Sequence, residues 1–144
     1  MIEFSAELEI GAAPDAVWRT MTDPSRESDW MRAVHNVAFV GEAEGYAIGA
    51  HMRRSGKFLW MTLSWESEVV AFEPGGLVAF RHVAGALKGE SRWELTPTGS
   101  GCRVRLASAG PPPGPLTRFP GLAAAAGRAG LRGDLARLKR LVEE

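Results

Sequence analysis

Apolar and polar residues alternate along most of the chain. Apolar residues occupy every even position from Ile2 to Ile10, and three of the four odd positions between them are glutamates. This pattern predicts a half-buried β-strand that ends at Gly11. Six further strands are predicted, with no helix among them: 34–40, 50–54, 58–73, 77–84, 87–96 and 102–109. The connections are short, so the strands are expected to be antiparallel neighbours.

Turn and bend signals divide this run of strands. Ser55-Gly56 is expected to form the turn between the third and fourth strands. The fourth strand is long, and we expect it to bend or bulge. Two short helices are predicted between the first and second strands: Pro14 suits the start of one, and Asp23-Pro24 suits the cap and first position of the other.

A single long helix after Pro115 has to cover the apolar face of the predicted sheet. Its second half carries Leu131, Leu135, Leu138 and Val142 at helical spacing. Its first half, residues 122–133, consists mainly of alanine and glycine. Such small side chains leave space that a core helix normally fills. The sequence therefore predicts a cavity between this half of the helix and the sheet.

Composition limits the class of protein. The chain has 144 residues and no formal net charge, with 17 basic and 17 acidic residues. We expect one domain, 1–144, that does not bind nucleic acid. Cys102 is the only cysteine, so no internal disulfide forms, which is compatible with a reducing compartment. Neither a signal peptide nor a membrane-spanning segment is expected, and the predicted location is cytoplasmic, without stable membrane insertion.

Strand alternation also predicts which side chains face the cavity. The more apolar set of each strand is expected to point inwards, and it includes a few polar residues. The expected ligand-binding residues are Trp65, Ser67, Phe80, His82, Ser91, Trp93 and Ser108 from the strands and Ala126 and Gly130 from the helix. Two alternatives stay open: the tryptophans are plain core residues, and the serines bond only to the backbone.

Candidate catalytic groups are few. The three histidines have no second histidine or cysteine at ligand spacing, so neither a metal site nor a cofactor is expected. His82 is a candidate acid or base if it faces the cavity, and otherwise a partly buried, hydrogen-bonded histidine. Arg53 and Arg54 are adjacent on the third strand, so one points inwards if the strand is regular. Arg53 is retained as a catalytic candidate, although both guanidinium groups reach water if the strand lies at the sheet rim.

Several short motifs, in this order, resemble the START-like helix-grip superfamily, also called SRPBCC, and within it the polyketide cyclase/dehydrase-like proteins. The motifs are Ala13-Pro14-Asp15-Ala16-Val17-Trp18, Thr22-Asp23-Pro24, Trp30, Gly49, Phe72-Glu73-Pro74, Leu95-Thr96-Pro97 with Gly101-Cys102-Arg103-Val104, and Leu135-Ala136-Arg137-Leu138-Lys139. The resemblance implies an α+β helix-grip fold: a curved seven-stranded antiparallel sheet, two short helices and one long terminal helix around a hydrophobic cavity. The motifs are structural and assign no catalytic residue.

Family members bind lipids, hormones or polyketides, and some are aromatase/cyclases. The resemblance therefore implies binding of a small hydrophobic or aromatic molecule in the cavity. One alternative is an aromatase/cyclase or dehydratase acting on a polyketide, with His82 and an inward arginine as its candidates. Another is an interaction domain that assists a chaperone ATPase. The expected partner is a small hydrophobic ligand, and the protein is expected to be a monomer or homodimer.

Overall fold

A computed structural model describes residues 1–58, 61–112 and 117–143. It has an α+β helix-grip fold, as the sequence predicts. The strands are β1 (Ile2–Ile10), β2 (Val34–Phe39), β3 (His51–Phe58), β4 (Met61–Glu73), β5 (Leu77–Gly85), β6 (Gly89–Thr98) and β7 (Gly101–Gly110). The helices are α1 (Pro14–Met21), α2 (Glu27–Trp30), which follows a 3-10 turn at Pro24–Arg26, and α3 (Pro120–Glu143).

The seven strands form one antiparallel sheet in the order β1-β7-β6-β5-β4-β3-β2. The first strand pairs with the last, so β1 and β2 lie at its two edges. The predicted irregularity of β4 is confirmed, because its register with β5 shifts between Glu66 and Ser67 and again between Val69 and Ala71. These shifts keep Ser67, Val69 and then Phe72 on the inner face.

The predicted turn at Ser55-Gly56 is wrong. The third strand continues through both residues to Phe58, while residues 59 and 60 of the predicted fourth strand lie outside the described residues. Gly56 is needed for close approach rather than for a turn, because a Cβ atom on it would lie 1.6 Å from the carbonyl oxygen of Ala33.

The two halves of α3 pack differently. Leu135 and Leu138 are almost fully buried and contribute to one apolar core with Trp30 and the inner face of the sheet. In the stretch before residue 131, only Ala123 is buried. The side chains of α3 therefore fill the space over one end of the sheet and leave space over the other. None of the described helices is both long enough and apolar enough to cross a membrane.

Candidate functional site

Four polar side chains form a hydrogen-bonded row across the inner face of the sheet. Strand pairing sets Ser67 opposite His82 and Ser91 opposite Ser108. Ser67 Oγ lies 2.8 Å from His82 Nδ1, and His82 Nε2 lies 3.2 Å from Ser91 Oγ. Ser91 Oγ in turn lies 3.2 Å from Ser108 Oγ. We call Ser67, His82, Ser91 and Ser108 the polar row.

Burial determines the direction of these hydrogen bonds. The pKa of His82 is lowered to about 4, first by burial and then by the charge of Arg54, so at neutral pH its ring carries one N–H. Ser67 is fully buried, and His82 is the only described residue to which its hydroxyl bonds. A buried hydroxyl proton without an acceptor is costly, so Ser67 donates to Nδ1 and Nε2–H donates to Ser91. One hydroxyl proton of Ser91 or Ser108 then has no acceptor among the described residues.

The free end of the polar row opens into a cavity of about 180 Å³. The cavity lies beneath the first half of α3, where Ala123 and Gly127 form its roof. Its other walls are mostly apolar, with Lys88 and Glu90 exposed at the rim. The remaining lining residues are Ile2, Phe4, His82, Leu87, Ser91, Ser108, Ala109, Gly110 and Pro111. A mostly apolar cavity with a few convergent polar groups is typical of a small-molecule site.

Phe4, on the edge strand β1, forms one wall of the cavity. Its ring lies so close to the helix that a Cβ atom on Gly127 would be 2.6 Å from both Cε2 and Cζ of the ring. A glycine at this position is therefore what lets the ring lie against the helix backbone. The shape of the cavity depends directly on the small residues of α3.

A second polar group is buried at the filled end of the sheet, around the inward arginine that the sequence leaves open. Arg54 donates from Nε to Glu27 Oε2 at 2.5 Å and from Nη2 to Glu27 Oε1 at 3.0 Å. Nη2 also lies 3.3 Å from Tyr46 Oη. The guanidinium packs on the rings of Phe80 and Trp93, at 4.8 and 5.7 Å from their centroids.

This cluster is electrostatically satisfied. Burial alone would lower the pKa of Arg54, but the carboxylate of Glu27 outweighs burial and raises it. Burial raises the pKa of the Tyr46 phenol, so its proton stays on. The only sequence signal for the cluster is that an inward arginine needs an acid; no pattern identifies Glu27 as that acid.

The structure shows which of the two adjacent arginines points inwards, a question that the sequence left open. Arg54 points inwards and is 4% exposed, so the alternative in which both reach water is wrong. Arg53 points to the outer face, where its exposed side chain lies 3.4 Å from Glu66. The catalytic candidate Arg53 is therefore on the opposite side of the sheet from the cavity, because adjacent strand residues point to opposite faces.

The other predicted site residues fall into three groups. His82, Ser91 and Ser108 of the polar row line the cavity, whereas Ser67 is buried behind His82. Trp65, Phe80 and Trp93 are buried on the inner face but do not line the cavity. Ala126 and Gly130 are exposed, and Ala123 and Gly127 line the cavity instead. The buried leucines set the phase of α3, and Gly127 lies eight residues, about two turns, before Leu135 on the same face.

Two other kinds of site, a surface groove and a metal site, receive less support. A groove of about 420 Å³ is lined largely by outward-facing residues such as Ser5, Ala79 and Ala107, and it shares Phe4, Ser91 and Ser108 with the cavity. Its arginines Arg92 and Arg105 contact Glu94. Among the described residues, no group of three or more His, Cys, Asp or Glu could hold a metal ion. The cavity at the polar row is therefore the candidate site.

Comparisons with known proteins agree with this architecture. Residues 1–143 match the family described as polyketide cyclase / dehydrase and lipid transport. TTHA0849 from Thermus thermophilus is 20% identical, with a TM-score of 0.80 and coverage of 97% of this chain and 96% of that one. MLL2253 from Mesorhizobium loti is 22% identical, with a TM-score of 0.73 and coverage of 98% and 96%.

A third similar structure is DynU16, a protein of the dynemicin biosynthetic locus. It is 23% identical with a TM-score of 0.74, and the match covers 99% of this chain but 48% of that one. At these identities the three structures indicate the fold alone. The comparison with curated proteins found no significant match.

Proposed function

The chain belongs to the polyketide cyclase/dehydrase and lipid transport family, and we propose that it binds a small, mostly apolar molecule of about one ring that carries a carbonyl group. The ligand would occupy the cavity beneath Ala123 and Gly127. The observation that carries this proposal is the polar row, which presents a free hydroxyl proton to an otherwise apolar cavity.

The size of the cavity supports a one-ring ligand. Drug-sized ligands occupy pockets of roughly 300–1,000 Å³, whereas this cavity measures about 180 Å³. An apolar protein cavity of about 150 Å³ is sufficient for benzene. Burial of such a ring stabilises the complex by roughly 25 cal/mol per Å² of apolar surface.

The direction of the hydrogen bonds supports a carbonyl. The free group at Ser91 or Ser108 is a donor, because Ser67 and the Nε2–H of His82 fix the direction of the row. A ligand carbonyl accepts this hydrogen bond, whereas a purely apolar ligand leaves the hydroxyl unpaired and loses the net hydrogen bond, worth about 0.5–1.5 kcal/mol.

Enzymatic aromatisation, cyclisation or dehydration receives less support. Enolisation of a keto chain is most efficient with a base whose pKa lies near the working pH. The pKa of His82 is about 4, and both of its ring nitrogens are engaged by serines. The chaperone-assisting alternative rests on an exposed apolar patch without an internal void, and the cavity argues for ligand binding instead.

Binding of acetophenone and of ethylbenzene, measured by isothermal titration calorimetry, tests the proposal. The two probes have similar shapes, but only acetophenone carries a carbonyl. One net hydrogen bond is worth about 0.5–1.5 kcal/mol, so acetophenone is expected to bind roughly two- to twelvefold more tightly. Ala123→Phe fills the cavity and is expected to abolish binding of both probes.

Two serine variants separate the polar row from general effects. Either Ser91 or Ser108 can present the free proton, so the double variant Ser91→Ala, Ser108→Ala is expected to weaken the preference for acetophenone. Ser28→Ala, at an exposed serine of α2, is expected to leave it unchanged. Equal affinity of the wild-type protein for the two probes would refute the role of the polar row. Unchanged binding by Ala123→Phe would show that the ligand binds elsewhere.

A further inference from the structure

A cleft of about 600 Å³ lies between the start of β2 and the middle of α3. It shares no lining residue with the cavity at the polar row. Its floor is made of small residues and its walls carry mostly basic side chains. The lining residues are Arg32, Ala33, His35, Lys57, Ala129, Gly130, Gly133, Asp134 and Arg137.

Backbone contacts bring one cation to this cleft. The missing side chain of Gly56 lets β3 approach Ala33 closely. The backbone N–H of Lys57 then donates to the carbonyl of Ala33 at 3.0 Å. Lys57 is thereby held beside the segment that contains Arg32 and His35.

A second cation is positioned by hydrogen bonds. Arg137 donates from Nε to the backbone carbonyl of Trp30 at 3.1 Å, and from Nη2 to the buried carboxylate of Asp134. Both Nη atoms lie 3.5 Å from where a Cβ of Gly133 would be, so the guanidinium lies across a residue without a side chain. Asp134 also accepts the backbone N–H of Arg32 at 3.2 Å.

The charges of the cleft do not balance. Asp134 compensates Arg137. The side chains of Arg32 and Lys57 make no ion pair or hydrogen bond within the described ranges, so two positive charges lack an anion. The chain as a whole has no net charge, so this excess is a local feature. A phosphate monoester carries a charge of roughly −1.5 to −2 at neutral pH, which matches the excess.

We propose that this cleft binds a phosphate monoester group. Arg137 is preorganised to offer its remaining N–H groups, and Arg32 and Lys57 supply the two uncompensated charges. Gly130 has no atom within 4 Å of the position of a Cβ, so the floor has room for the organic part of the ligand. The same group occurs in soluble phosphate esters and in the headgroup of phosphatidic acid.

Titration with glycerol phosphate, followed by amide NMR at constant ionic strength, tests the soluble source. Glycerol phosphate has no ring, so it does not test the apolar cavity. Shifts are expected at residues 32–35, 57 and 129–134. Lys57→Gln and Arg32→Gln are each expected to weaken binding about three- to tenfold. This factor lies between the small effect of an exposed ion pair and the larger effect of a hydrogen bond to a charged group. Arg140→Gln, at an exposed arginine of the same helix, is the matched control.

Sedimentation with vesicles of phosphatidylcholine, with and without phosphatidic acid, tests the lipid source. Binding of glycerol phosphate that only the two cleft variants weaken supports a soluble ligand. Sedimentation that needs phosphatidic acid and is lost in those variants supports the headgroup. The proposal is overturned if neither probe binds, if chloride causes the same shifts, or if Arg140→Gln weakens binding as much as the cleft variants do.

Discussion

Substitution of Gly127 by alanine tests whether the small residues of α3 define the cavity. In a helix interior, alanine is normally about 1 kcal/mol more favourable than glycine. Here the new Cβ would lie 2.6 Å from two ring atoms of Phe4, so the ring has to move. Overpacking of this kind costs about 1–3 kcal/mol. Gly127→Ala is therefore expected to leave the free energy of unfolding unchanged or to lower it by up to about 2 kcal/mol.

Gly130→Ala is the matched control, because both residues lie in the interior of the same helix. No atom lies within 4 Å of the Cβ position of Gly130, so this variant is expected to gain about 1 kcal/mol. Urea denaturation at pH 7 measures both values, and an unchanged m-value shows that each variant retains the same denatured and native compactness. The two variants are expected to differ by about 1–3 kcal/mol.

The contact with Phe4 can be tested separately by repeating the experiment in a variant that lacks the ring. In a Phe4→Leu background the ring is absent, and Gly127→Ala is then expected to stabilise as much as Gly130→Ala does. If Gly127→Ala already matches Gly130→Ala in the wild-type background, the ring does not lie against Gly127, and the shape of the cavity does not depend on this glycine.

Two further predictions concern the buried polar groups. Glu27→Gln leaves the charge of Arg54 buried and is expected to lower the free energy of unfolding in urea by about 3–5 kcal/mol, whereas replacement of both residues by methionine is expected to restore most of the loss; a single variant that is no less stable would contradict the ion pair. The pKa of His82 is about 4 in the folded chain and about 6.5 when unfolded, so its contribution is complete above pH 6.5 and is lost as the pH falls towards 4. His82→Gln should therefore flatten the fall in stability measured between pH 6.5 and 5, and an identical pH profile would refute the shift.

The sequence predicts the inner faces of the strands well because a strand has a period of two. Ser67 and Ser91 each lie between two charged residues, and Arg81 precedes His82. Because the charged residues must face water, this constraint places the three polar residues on one side of the sheet. Their order along the inner face follows from antiparallel neighbours with short connections. Most of the polar row could thus be predicted before its hydrogen bonds were known.

The buried face of the first half of α3 could not be predicted in the same way. Residues 122–133 contain few large side chains, so nothing within this segment indicates which side is buried. The phase is set further along the helix by Leu135 and Leu138, whose burial turns Ala123 and Gly127, rather than Ala126 and Gly130, towards the sheet. Where side chains are small, distant anchors decide the orientation.

Contacts between residues that are far apart in the chain could not be predicted from the sequence either. Gly56 follows a serine, as in many turns. Its lack of a side chain instead lets the backbone of Ala33, more than twenty residues earlier in the chain, approach closely. Glu27 and Arg54 are separated by 27 residues. No local pattern records such contacts, because they depend on how α2 and β3 pack together.

The two polar groups on the inner face differ in what remains unsatisfied, and this difference decides which of them can recognise a ligand. The guanidinium of Arg54 is engaged by both oxygens of Glu27 and by Tyr46, so a ligand there would have to displace a buried ion pair at high cost. The polar row instead ends in a hydroxyl proton that no described residue accepts, beside an apolar space. A ligand carbonyl supplies the missing acceptor without displacing any bond. The charged cluster therefore holds the sheet and α2 in position, and the row of neutral groups is the part of the interior that gains by binding.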